Sequence, residues 1–399
     1  MPKKIQMPSL SGGTGGIPEI MKRIMFISPY AGRAGAEVYL YRFLKNYDEQ
    51  RFQALVVTEK FSPLFASLQP KILYTYMKKS SIVMETKKIV RQISSKLQKQ
   101  DKPHGFGLFV EEVHRQFKPD EWVLNSILMQ KVMPSVLRMQ AHTTLIVHEM
   151  PSAYSFVSMQ SMQAMIKYCQ RIITNSSSSS KALSVMGRED IRLQPCFYDA
   201  EEIRIHQSRN GLRSELGIEP DDFVLVGAGS LDFNKGIELF MQISEASSGR
   251  AWKFVWIGGE RKTGFNHFIN CLYARLKVNG NLMILSEKDH DFYEYLNICD
   301  AFLLTSFNES FSLVTLEALA LGKPAVVYDC GGVNDFMTEV SGRIVDSRNP
   351  KKWIDTIAWV EQNYKQFPAS ELKALAAQYS TKTQVPALTA LLSDDENHA

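Results

Sequence analysis

The sequence predicts an α/β protein of two domains, each built around a parallel β-sheet that is covered by helices. Three observations support this prediction: a length of 399 residues, two series of short apolar runs, and a break between the two series. A chain of this length exceeds the usual size of one domain, about 100 to 200 residues, and indicates two. Hydrophobic residues make up 45% and charged residues 22%, as is typical of a globular protein with a sizeable core.

Short runs of β-branched and aromatic residues alternate with longer stretches that are compatible with helices. Continuous apolar runs predict strands that are buried on both faces, and helical spacers between them predict parallel sheets. We therefore expect two Rossmann-like domains whose sheets face each other across a cleft. The first series is RIMFISP from Arg23, ALVVTE from Ala54, WVLNS from Trp122, TTLIVHE from Thr143 and RIITNS from Arg171. The second is FVLVGAGS from Phe223, KFVWIGG from Lys253, LMILS from Leu282, AFLLTS from Ala301 and PAVVYD from Pro324.

The domain boundary is predicted where glycine and proline residues interrupt the periodicity, between Cys196 and Asp222. Near the N-terminus, SGGTGG without apolar periodicity indicates a flexible tail. The predicted units are a flexible tail (1–21), an N-terminal domain (22–199), a C-terminal domain (200–372), and a C-terminal helix that returns to the N-terminal domain before a tail (373–399).

Charge is distributed unevenly along the chain. Residues 1–199 hold 27 Lys and Arg against 15 Asp and Glu, whereas the remainder is net acidic. A basic half indicates an anionic partner, either a phosphorylated ligand or a membrane surface. A solvated basic surface is the alternative that this composition leaves open.

Residues 71–102 are the most basic segment, with nine cations against two acids. Apolar residues recur within it at a spacing that suits one face of a helix. A basic amphipathic helix would suit peripheral contact with an anionic membrane or a lipid-linked acceptor, and an ordinary surface helix is an equal alternative. The apolar positions are Ile82, Ile89, Ile93 and Leu97.

Cysteine spacing and hydropathy exclude several classes of protein. The five cysteines are scattered and never fall in a C-x-x-C spacing, so neither a disulfide framework nor a metal site is expected. No apolar run reaches the length of about 18 residues that spans a membrane, and the N-terminus lacks the apolar core of a secretory signal. We therefore expect a cytoplasmic protein, with the inner face of the membrane as an alternative location, and no nucleic-acid partner.

The segment AFLLTSFNESFSLVTLEALALGKP, from Ala301, contains a strand, a polar turn, a helix and a stop signal. The helix is predicted to begin near Ser312, a suitable N-cap, and to end at Gly322. Its body, LVTLEALAL, is apolar on nearly all sides and is therefore expected to be buried. Glu317 is the ionisable residue of that body, and it needs a partner because an unpaired buried carboxylate costs several kcal/mol.

Two kinds of partner for Glu317 are open: a pair of ligand hydroxyls, or a neighbouring Lys or Arg. Glu309 precedes the helix and lies near the free N–H groups of its first turn, which suit a diphosphate. The segment thus offers one carboxylate for a sugar, amides for phosphates and a second carboxylate for a ribose. In the alternative, Glu309 is a solvent-exposed acid of a loop and Glu317 has a cation as its partner.

Within this segment, ESFSLVTLEALALGKPAVVYDCGG resembles the donor-binding motif of the retaining family 4 glycosyltransferases, which have the GT-B fold. That motif has two Glu separated by seven residues, a helix of small residues, Gly-x-Pro, a strand and a Gly-Gly turn. The resemblance implies that Glu309 contacts the donor sugar and Glu317 the ribose hydroxyls. It also implies that the amides of Phe311, Ser312 and Leu313 face the sugar and the diphosphate, with Ser312 replacing a frequent Gly.

A second resemblance lies in GAGSLDFNKGIELFMQI, which starts at Gly227. The family often has Gly-Arg followed by Lys-Gly here, with both cations on the diphosphate. Lys235 matches the Lys, and a cation beside a leaving phosphate is a large electrostatic contribution to catalysis. Ser230 stands at the Arg position and supplies no charge, so another cation replaces it or activity is lower. In the alternative, Lys235 is an exposed lysine in the first turn of a helix.

The N-terminal half carries weaker signals where its strands end. SPYAGRAGAEVYL resembles the family's glycine loop, in which Gly32 and Gly35 would let donor phosphates approach backbone amides closely. His148 ends the run TTLIVHE, and a His at this point in related enzymes lines the reaction centre. A structural His at the end of a strand is an equal alternative.

The resemblance covers most of residues 22–390 and implies retaining transfer from a nucleoside diphosphate sugar to a hydroxyl of a saccharide or lipid-linked acceptor. The N-terminal domain would face the acceptor, and Glu309, Lys235 and His148 would be the catalytic residues. No cofactor and no metal are expected, and cell-surface polysaccharide or glycolipid synthesis is the expected process. Two alternatives are a catalytically weak GT-B protein that binds a nucleotide sugar as a sensor or scaffold, and a GT-B sugar-nucleotide epimerase.

Overall fold

The computed structural model describes most of the chain in two halves, each with a parallel sheet and flanking helices. Among the described residues, seven strands form the sheet of the N-terminal half and six form the sheet of the C-terminal half. The two-domain α/β architecture predicted from the apolar runs is therefore confirmed. The described residues are 21–29, 35–60, 63–68, 72–75, 105–260, 262–288 and 291–393.

The strands of the N-terminal half are β1 (Lys22–Ser28), β2 (Phe52–Thr58), β3 (Ile72–Thr75), β4 (Glu121–Leu124), β5 (Thr143–Val147), β6 (Arg171–Thr174) and β7 (Ile191–Leu193). Their order in the sheet is β3-β2-β1-β4-β5-β6-β7, so the direction of winding reverses between β1 and β4. In open α/β sheets, ligands bind beyond the carboxyl ends of the strands at such a reversal. The helices are α1 (Gly35–Asn46), α2 (Pro63–Ala66), α3 (Gly105–Phe117), α4 (Met133–Met139), α5 (Met159–Tyr168) and α6 (Ser177–Ser184).

The C-terminal half follows helix α7 (Arg209–Glu215) and repeats this architecture. Its strands are β8 (Phe223–Ala228), β9 (Trp252–Ile257), β10 (Leu282–Leu285), β11 (Ala301–Leu304), β12 (Ala325–Tyr328) and β13 (Gly342–Val345). The order is β10-β9-β8-β11-β12-β13, which reverses between β8 and β11. The helices are α8 (Ile237–Ala246), α9 (Gly264–Leu276), α10 (Phe292–Asn297), α11 (Leu313–Ala320), α12 (Pro350–Gln362) and α13 (Ala369–Ala377).

The last described helix, α14 (Thr381–Ser393), packs against α1 of the N-terminal half. Lys22 at the start of β1 donates a hydrogen bond to the carbonyl of Leu392 in α14, at 2.7 Å. Tyr198, which follows the first sheet, pairs with Ser380 just before α14. The end of the described chain is therefore anchored on the first half, whereas the exact domain limits at residues 199 and 372 stay predictions.

Polar residues before the helices fix where several of them begin. Ser176 precedes α6, and its hydroxyl accepts a hydrogen bond from the Ser179 amide. Asn349 precedes α12 in the same way and accepts from the Lys351 amide at 3.0 Å. Side chains of this kind satisfy amides that lack a partner inside the helix.

Other sequence predictions fall partly outside the described residues. The basic segment 71–102 is described only at β3, so its predicted helix and apolar stripe lie beyond what the structure describes. The same holds for the tail 1–20. Among the described residues, no helix has the length and apolar character needed to cross a membrane.

Gly236 and Gly217 have similar backbone angles, but only Gly236 lies against another segment of the backbone, so the two form a matched pair for a test by substitution. Both have positive φ, +70° and +67°, but a Cβ at Gly236 would lie 2.0 Å from the Thr305 carbonyl oxygen, whereas one at Gly217 meets nothing within 4 Å. Gly217→Ala is expected to lower the free energy of unfolding by about 1 kcal/mol, the cost of the left-handed backbone. Gly236→Ala is expected to cost at least about 3 kcal/mol, because the backbone must also shift. Urea unfolding measures both, and equal losses would contradict this account.

Candidate functional site

Helix α11 is the central element of the candidate site, and it forms as the sequence predicts. Ser312 is its N-cap and accepts a hydrogen bond from the Thr315 amide. Leu321 is its C-cap, and the next residue, Gly322, has a φ of +78° and stops the helix. Five consecutive residues of its body, including Glu317, are buried. The N-terminus of α11 lies at the carboxyl end of β11, where the two halves meet.

Lys235 and Glu309, two of the predicted catalytic residues, lie together in this site. Lys235 Nζ contacts Glu309 Oε1 at 2.6 Å, and both side chains remain partly accessible. The Lys235 loop follows β8 and is shaped by Asp232, which accepts a hydrogen bond from the Lys235 amide. Burial on its own would lower the pKa of Lys235, but the carboxylates of Glu309 and Asp232 raise it overall. The amine is therefore a stable cation at neutral pH.

The backbone of Glu309 is held by the turn after β12. Its amide donates to the Cys330 carbonyl at 3.0 Å, and its carbonyl accepts from the Gly332 amide at 2.8 Å. A Cβ at Gly332 would lie 1.7 Å from the Ser310 carbonyl oxygen, so only glycine permits this approach. The Gly-Gly turn of the motif therefore positions the loop that carries Glu309.

The other predicted donor-binding residues near α11 have defined side-chain environments. The ring of Phe311 packs in the core against Phe336 and Tyr379. Leu313 is partly buried, and the Ser312 hydroxyl contacts the Thr315 hydroxyl at 2.8 Å. Their side chains thus support the helix start, which leaves their backbone amides as the groups predicted to meet a diphosphate.

Ser230 and the glycine loop are the remaining predicted donor contacts. The Ser230 hydroxyl donates to Asp232 Oδ2 at 2.6 Å, so Ser230 supports the loop of Lys235. Gly35 is the first residue of α1, where a Cβ would meet nothing within 4 Å. Gly32 lies outside the described residues.

Glu317 has a protein cation as its partner, which is one of the two alternatives that the sequence left open. Its Oε1 atom accepts hydrogen bonds from Arg42 at 2.6 Å and from the Tyr293 hydroxyl at 3.1 Å. Arg42 and Glu317 are only 3% and 6% exposed at their side chains. Burial raises the pKa of Glu317, although Arg42 and Tyr293 oppose this shift. Its assignment to a ribose stays a prediction.

Arg42 is a residue that the sequence analysis missed. It lies on α1 of the N-terminal half and also contacts Glu202 at 2.8 Å and the Phe197 carbonyl at 3.1 Å, both in the connection between the halves. Burial would lower the pKa of Arg42, but Glu317, Tyr293 and Glu202 raise it overall. The signal for this contact is the sequence YLYRFL, where a cation interrupts an apolar helix face and requires a buried anion.

His148 lies across the interface from Glu309 and contacts the same loop. Its carbonyl oxygen accepts a hydrogen bond from the Ser310 hydroxyl, which in turn accepts one from Asn175 Nδ2 at 3.1 Å. Its ring Nε2 contacts Asn125 Oδ1 at 2.8 Å. Burial lowers the pKa of His148 to about 3, so the ring is neutral at physiological pH. Ser310, Asn175 and Asn125 are not among the site residues that the sequence motifs predict.

Two acids with raised pKa values lie on the N-terminal side of this interface. Glu149 accepts hydrogen bonds from the Ser126 hydroxyl and the His148 amide, and burial raises its pKa. Glu37, in the first turn of α1, is 2% exposed, and its Oε2 has no hydrogen-bond partner among the described residues. Burial, with a smaller contribution from the Glu149 carboxylate, raises the pKa of Glu37 to about 7.

The site therefore combines a cation beside an accessible carboxylate, a helix N-terminus and a neutral imidazole within one interface. A cation and helix amides stabilise negative charge on phosphates, and a carboxylate or a neutral imidazole orients hydroxyl groups. Such groups suit the binding and transfer of a phosphate-linked, hydroxyl-rich molecule. Among the described residues, no cluster of His, Cys, Asp or Glu has the arrangement of a metal site.

The buried ion pair of Arg42 and Glu317 is expected to be strongly coupled. Arg42→Met leaves a buried carboxylate without its cation and is expected to lower the free energy of unfolding by about 3 to 5 kcal/mol. The double variant Arg42→Met/Glu317→Leu removes both charges and should cost less than the sum of the single variants.

Urea unfolding of the four proteins in this cycle measures the coupling. Asp346→Asn is the matched control, because it breaks the exposed pair of Asp346 and Lys352 and should cost less than about 1 kcal/mol. Additive losses in the cycle would show that the pair is not coupled.

The raised pKa of Glu37 predicts a loss of stability between pH 5 and pH 8. An unfolded Glu ionises near pH 4.5, whereas folded Glu37 keeps its proton up to about pH 7. The folded state therefore binds more protons in this range, and the free energy of unfolding falls by about 2 to 3 kcal/mol as the pH rises. Glu37→Gln cannot ionise and should lack this part of the decline. Urea unfolding at both pH values tests this, and an equal decline in both proteins would contradict it.

Comparisons with known proteins agree with this reading of the C-terminal half. Residues 208–383 match the family model described as "Glycosyl transferases group 1". A D-inositol 3-phosphate glycosyltransferase of Paenarthrobacter aurescens is 27% identical over 157 residues, which cover 37% of this chain and 38% of the relative. An alpha-galactosylglucosyldiacylglycerol synthase of Streptococcus pneumoniae is 30% identical over 126 residues, which cover 30% of this chain and 32% of the relative. The chain thus spans half or less of the length of these curated relatives.

Solved structures resemble the chain over nearly its whole length. Anabaena HepE in complex with UDP and glucose has a TM-score of 0.78 and 17% identity, with 94% of this chain and 100% of that chain covered. The lipopolysaccharide outer core galactosyltransferase WaaB has a TM-score of 0.68 and 13% identity, with coverage of 94% and 99%. At these identities the likeness concerns the fold. The chain therefore has the GT-B fold, and its residues 208–383 match the glycosyl transferases group 1 model.

Proposed function

We propose that this protein is a retaining glycosyltransferase that moves a sugar from a nucleoside diphosphate sugar to a hydroxyl of a saccharide or lipid-linked acceptor. The main observation in support is the contact of 2.6 Å between Lys235 and Glu309 beside the N-terminus of α11. The family model that matches residues 208–383 supports glycosyl transfer. The resemblance of the motif to family 4 enzymes supports retention of the anomeric configuration.

In the proposed reaction, Lys235 and the first amides of α11 bind the diphosphate while Glu309 positions the sugar. The bond between the anomeric carbon and the diphosphate oxygen breaks, and negative charge grows on the leaving group. A fixed cation stabilises that charge more in the transition state than in the bound donor, so it raises the rate as well as the affinity. The acceptor hydroxyl attacks from the same face and passes its proton to the departing diphosphate oxygen, and no covalent nucleophile is assigned.

His148 is proposed to act as a neutral group in this reaction. With a pKa of about 3, its imidazole carries a single N–H and takes up no second proton at neutral pH. It therefore contributes hydrogen bonds and shape and does not serve as a general acid or base. Its carbonyl already contacts Ser310, the neighbour of Glu309, so His148 lies close to the proposed position of the sugar.

The nature of the donor and acceptor is supported by the similar proteins. HepE is known in complex with UDP-glucose, which makes UDP-glucose the first donor to test. The streptococcal relative is a glycolipid synthase by name and WaaB is a lipopolysaccharide galactosyltransferase. These names support a role in cell-surface polysaccharide or glycolipid synthesis, and we propose the cytoplasmic face of a membrane as its location. We further propose that transfer needs no cofactor and no metal, and transfer that persists in excess EDTA would support this.

A catalytically weak GT-B protein that senses or presents a nucleotide sugar is the second candidate. Two observations favour it: Ser230 supplies no charge to the diphosphate, and Glu317 is bound by Arg42 in this structure. Thermal shifts with UDP, GDP, ADP and dTDP sugars show which donor binds, because ligand binding stabilises the native state. Binding without transfer to any acceptor and without slow hydrolysis of the donor would favour the sensor.

Lys235→Ala and Glu309→Ala are expected to lower kcat for sugar transfer by about 100-fold or more, since each removes a group aimed at the reacting bond. Lys277→Ala is the matched control, because Lys277 is an exposed lysine of the same half, in a turn after α9. The measurement is sugar transfer with the donor that gives the largest thermal shift. Turnover close to wild type in both site variants would refute the proposed roles.

A further inference from the structure

His148 is fixed at every polar atom except one ring nitrogen. Its carbonyl accepts from the Ser310 hydroxyl, its amide donates to Glu149 Oε2 at 3.0 Å, and its Nε2 contacts Asn125 Oδ1 at 2.8 Å. The Tyr39 ring packs against the imidazole with a centroid distance of 4.9 Å. Nδ1 is buried and has no hydrogen-bond partner among the described residues. A buried nitrogen of this kind requires a hydrogen-bond partner, and the described residues supply none.

The orientation of Asn125 determines which nitrogen of His148 carries the proton. Asn125 is fully buried, and its amide nitrogen Nδ2 donates to the Ala36 carbonyl at 3.0 Å and contacts the Ser28 hydroxyl at 3.4 Å. The flipped side chain would put Oδ1 against the Ala36 carbonyl, two acceptors without a hydrogen between them. Oδ1 therefore faces His148 and accepts, so the proton of the neutral ring is on Nε2.

We propose that Asn125 is a positioning residue that fixes His148 as the Nε2–H tautomer and so keeps Nδ1 as a hydrogen-bond acceptor for a sugar hydroxyl. The part that concerns the sugar rests on the proposed function, whereas the tautomer follows from the contacts of Asn125. An Nδ1–H tautomer would present a donor at this place, and the hydroxyl would have to turn its lone pair toward the ring. Asn125 thus sets the direction of one hydrogen bond in the site.

The surroundings of His148 keep this tautomer independent of pH in the physiological range. Its ionisable neighbours are Glu149 beside it, Tyr39 on α1, and the Glu309–Lys235 pair next to Ser310 in the other half, and Glu37 on α1 interacts with Glu149. Burial lowers the pKa of His148 to about 3, and none of these groups opposes that shift. The ring therefore stays neutral, and the hydrogen bond to Asn125 alone selects the tautomer.

The test is long-range ¹H–¹⁵N NMR of the full chain with ¹⁵N-labelled histidine, with the His148 signals assigned by their loss in His148→Asn. The wild-type ring is expected to show the Nε2–H pattern unchanged from pH 5 to pH 8. Asn125→Ala, or Asn125→Ser where the alanine variant does not fold, should give a mixture of both tautomers. Ser28→Ala is the matched control, because Ser28 also contacts Asn125 Nδ2 but does not touch His148, and it should keep the wild-type pattern.

Addition of UDP-glucose, or of the donor selected by thermal shift, tests the role of Nδ1. The Nδ1 signal of wild type should move in the direction of a nitrogen that accepts a hydrogen bond. The kcat/KM for donor turnover should fall about tenfold in the Asn125 variants, the size of one hydrogen bond, and stay near wild type in Ser28→Ala.

An Nδ1–H pattern in wild type, or an unchanged tautomer in the Asn125 variants, would overturn the inference. A changed tautomer with unchanged kcat/KM would overturn the role of Asn125 in positioning the sugar. If wild type binds and turns over no donor, the proposed function fails, while the spectra of the free protein still decide whether Asn125 fixes the tautomer.

Discussion

The buried contact between Arg42 and Glu317 is the interaction on which the arrangement of the two halves depends. A guanidinium in an apolar interior is tolerated only when carboxylates and carbonyls satisfy it. Arg42 lies on α1 of the first half, and its partners lie in the connection between the halves and on α10 and α11 of the second. Because these partners converge on one side chain, the two sheets are held in a defined relation, and the loops that follow their strands meet at one interface.

Local sequence patterns predict some parts of the site, whereas contacts between residues far apart in the sequence are not predicted. Helix α11, its cap and its buried acid follow from local pattern, since an apolar body around Glu317 requires burial and a partner. Lys235 and Glu309 belong to two motifs that each follow a strand. Because these strands, β8 and β11, are neighbours in the sheet, the two side chains lie close together. The partner of Glu317 is 275 residues away in the sequence, and no local pattern points from one to the other. Tertiary contacts of this kind are visible only in the fold.

Similar limits apply to the strands and to the His148 side of the interface. β7 is three residues long and mostly exposed, and therefore lacks the continuous apolar run that marks the central strands. β13 is also short and begins at Gly342, where a Cβ would lie 1.8 Å from the Ala325 carbonyl oxygen. The contact of Ser310 with His148 joins residues 162 positions apart. Sequence places a histidine at a strand end, but only the fold shows that its ring nitrogens have different surroundings.

Both carboxylates of the predicted donor motif are bound by cations. The two ion pairs differ in their exposure to solvent, and therefore in the free energy needed to open them. The side chains of Lys235 and Glu309 are 31% and 13% exposed, so water reaches this pair and opening it costs less than opening a fully buried pair. Arg42 and Glu317 are almost inaccessible, and separating them leaves two charges that water does not reach. A nucleotide sugar therefore has to open only the more accessible ion pair where its sugar and diphosphate are proposed to bind. At Glu317, Arg42 and Tyr293 both donate to Oε1, so a ribose hydroxyl would meet the other carboxylate oxygen or replace one of these donors. The accessible pair is thus the part of the site that a donor can engage first.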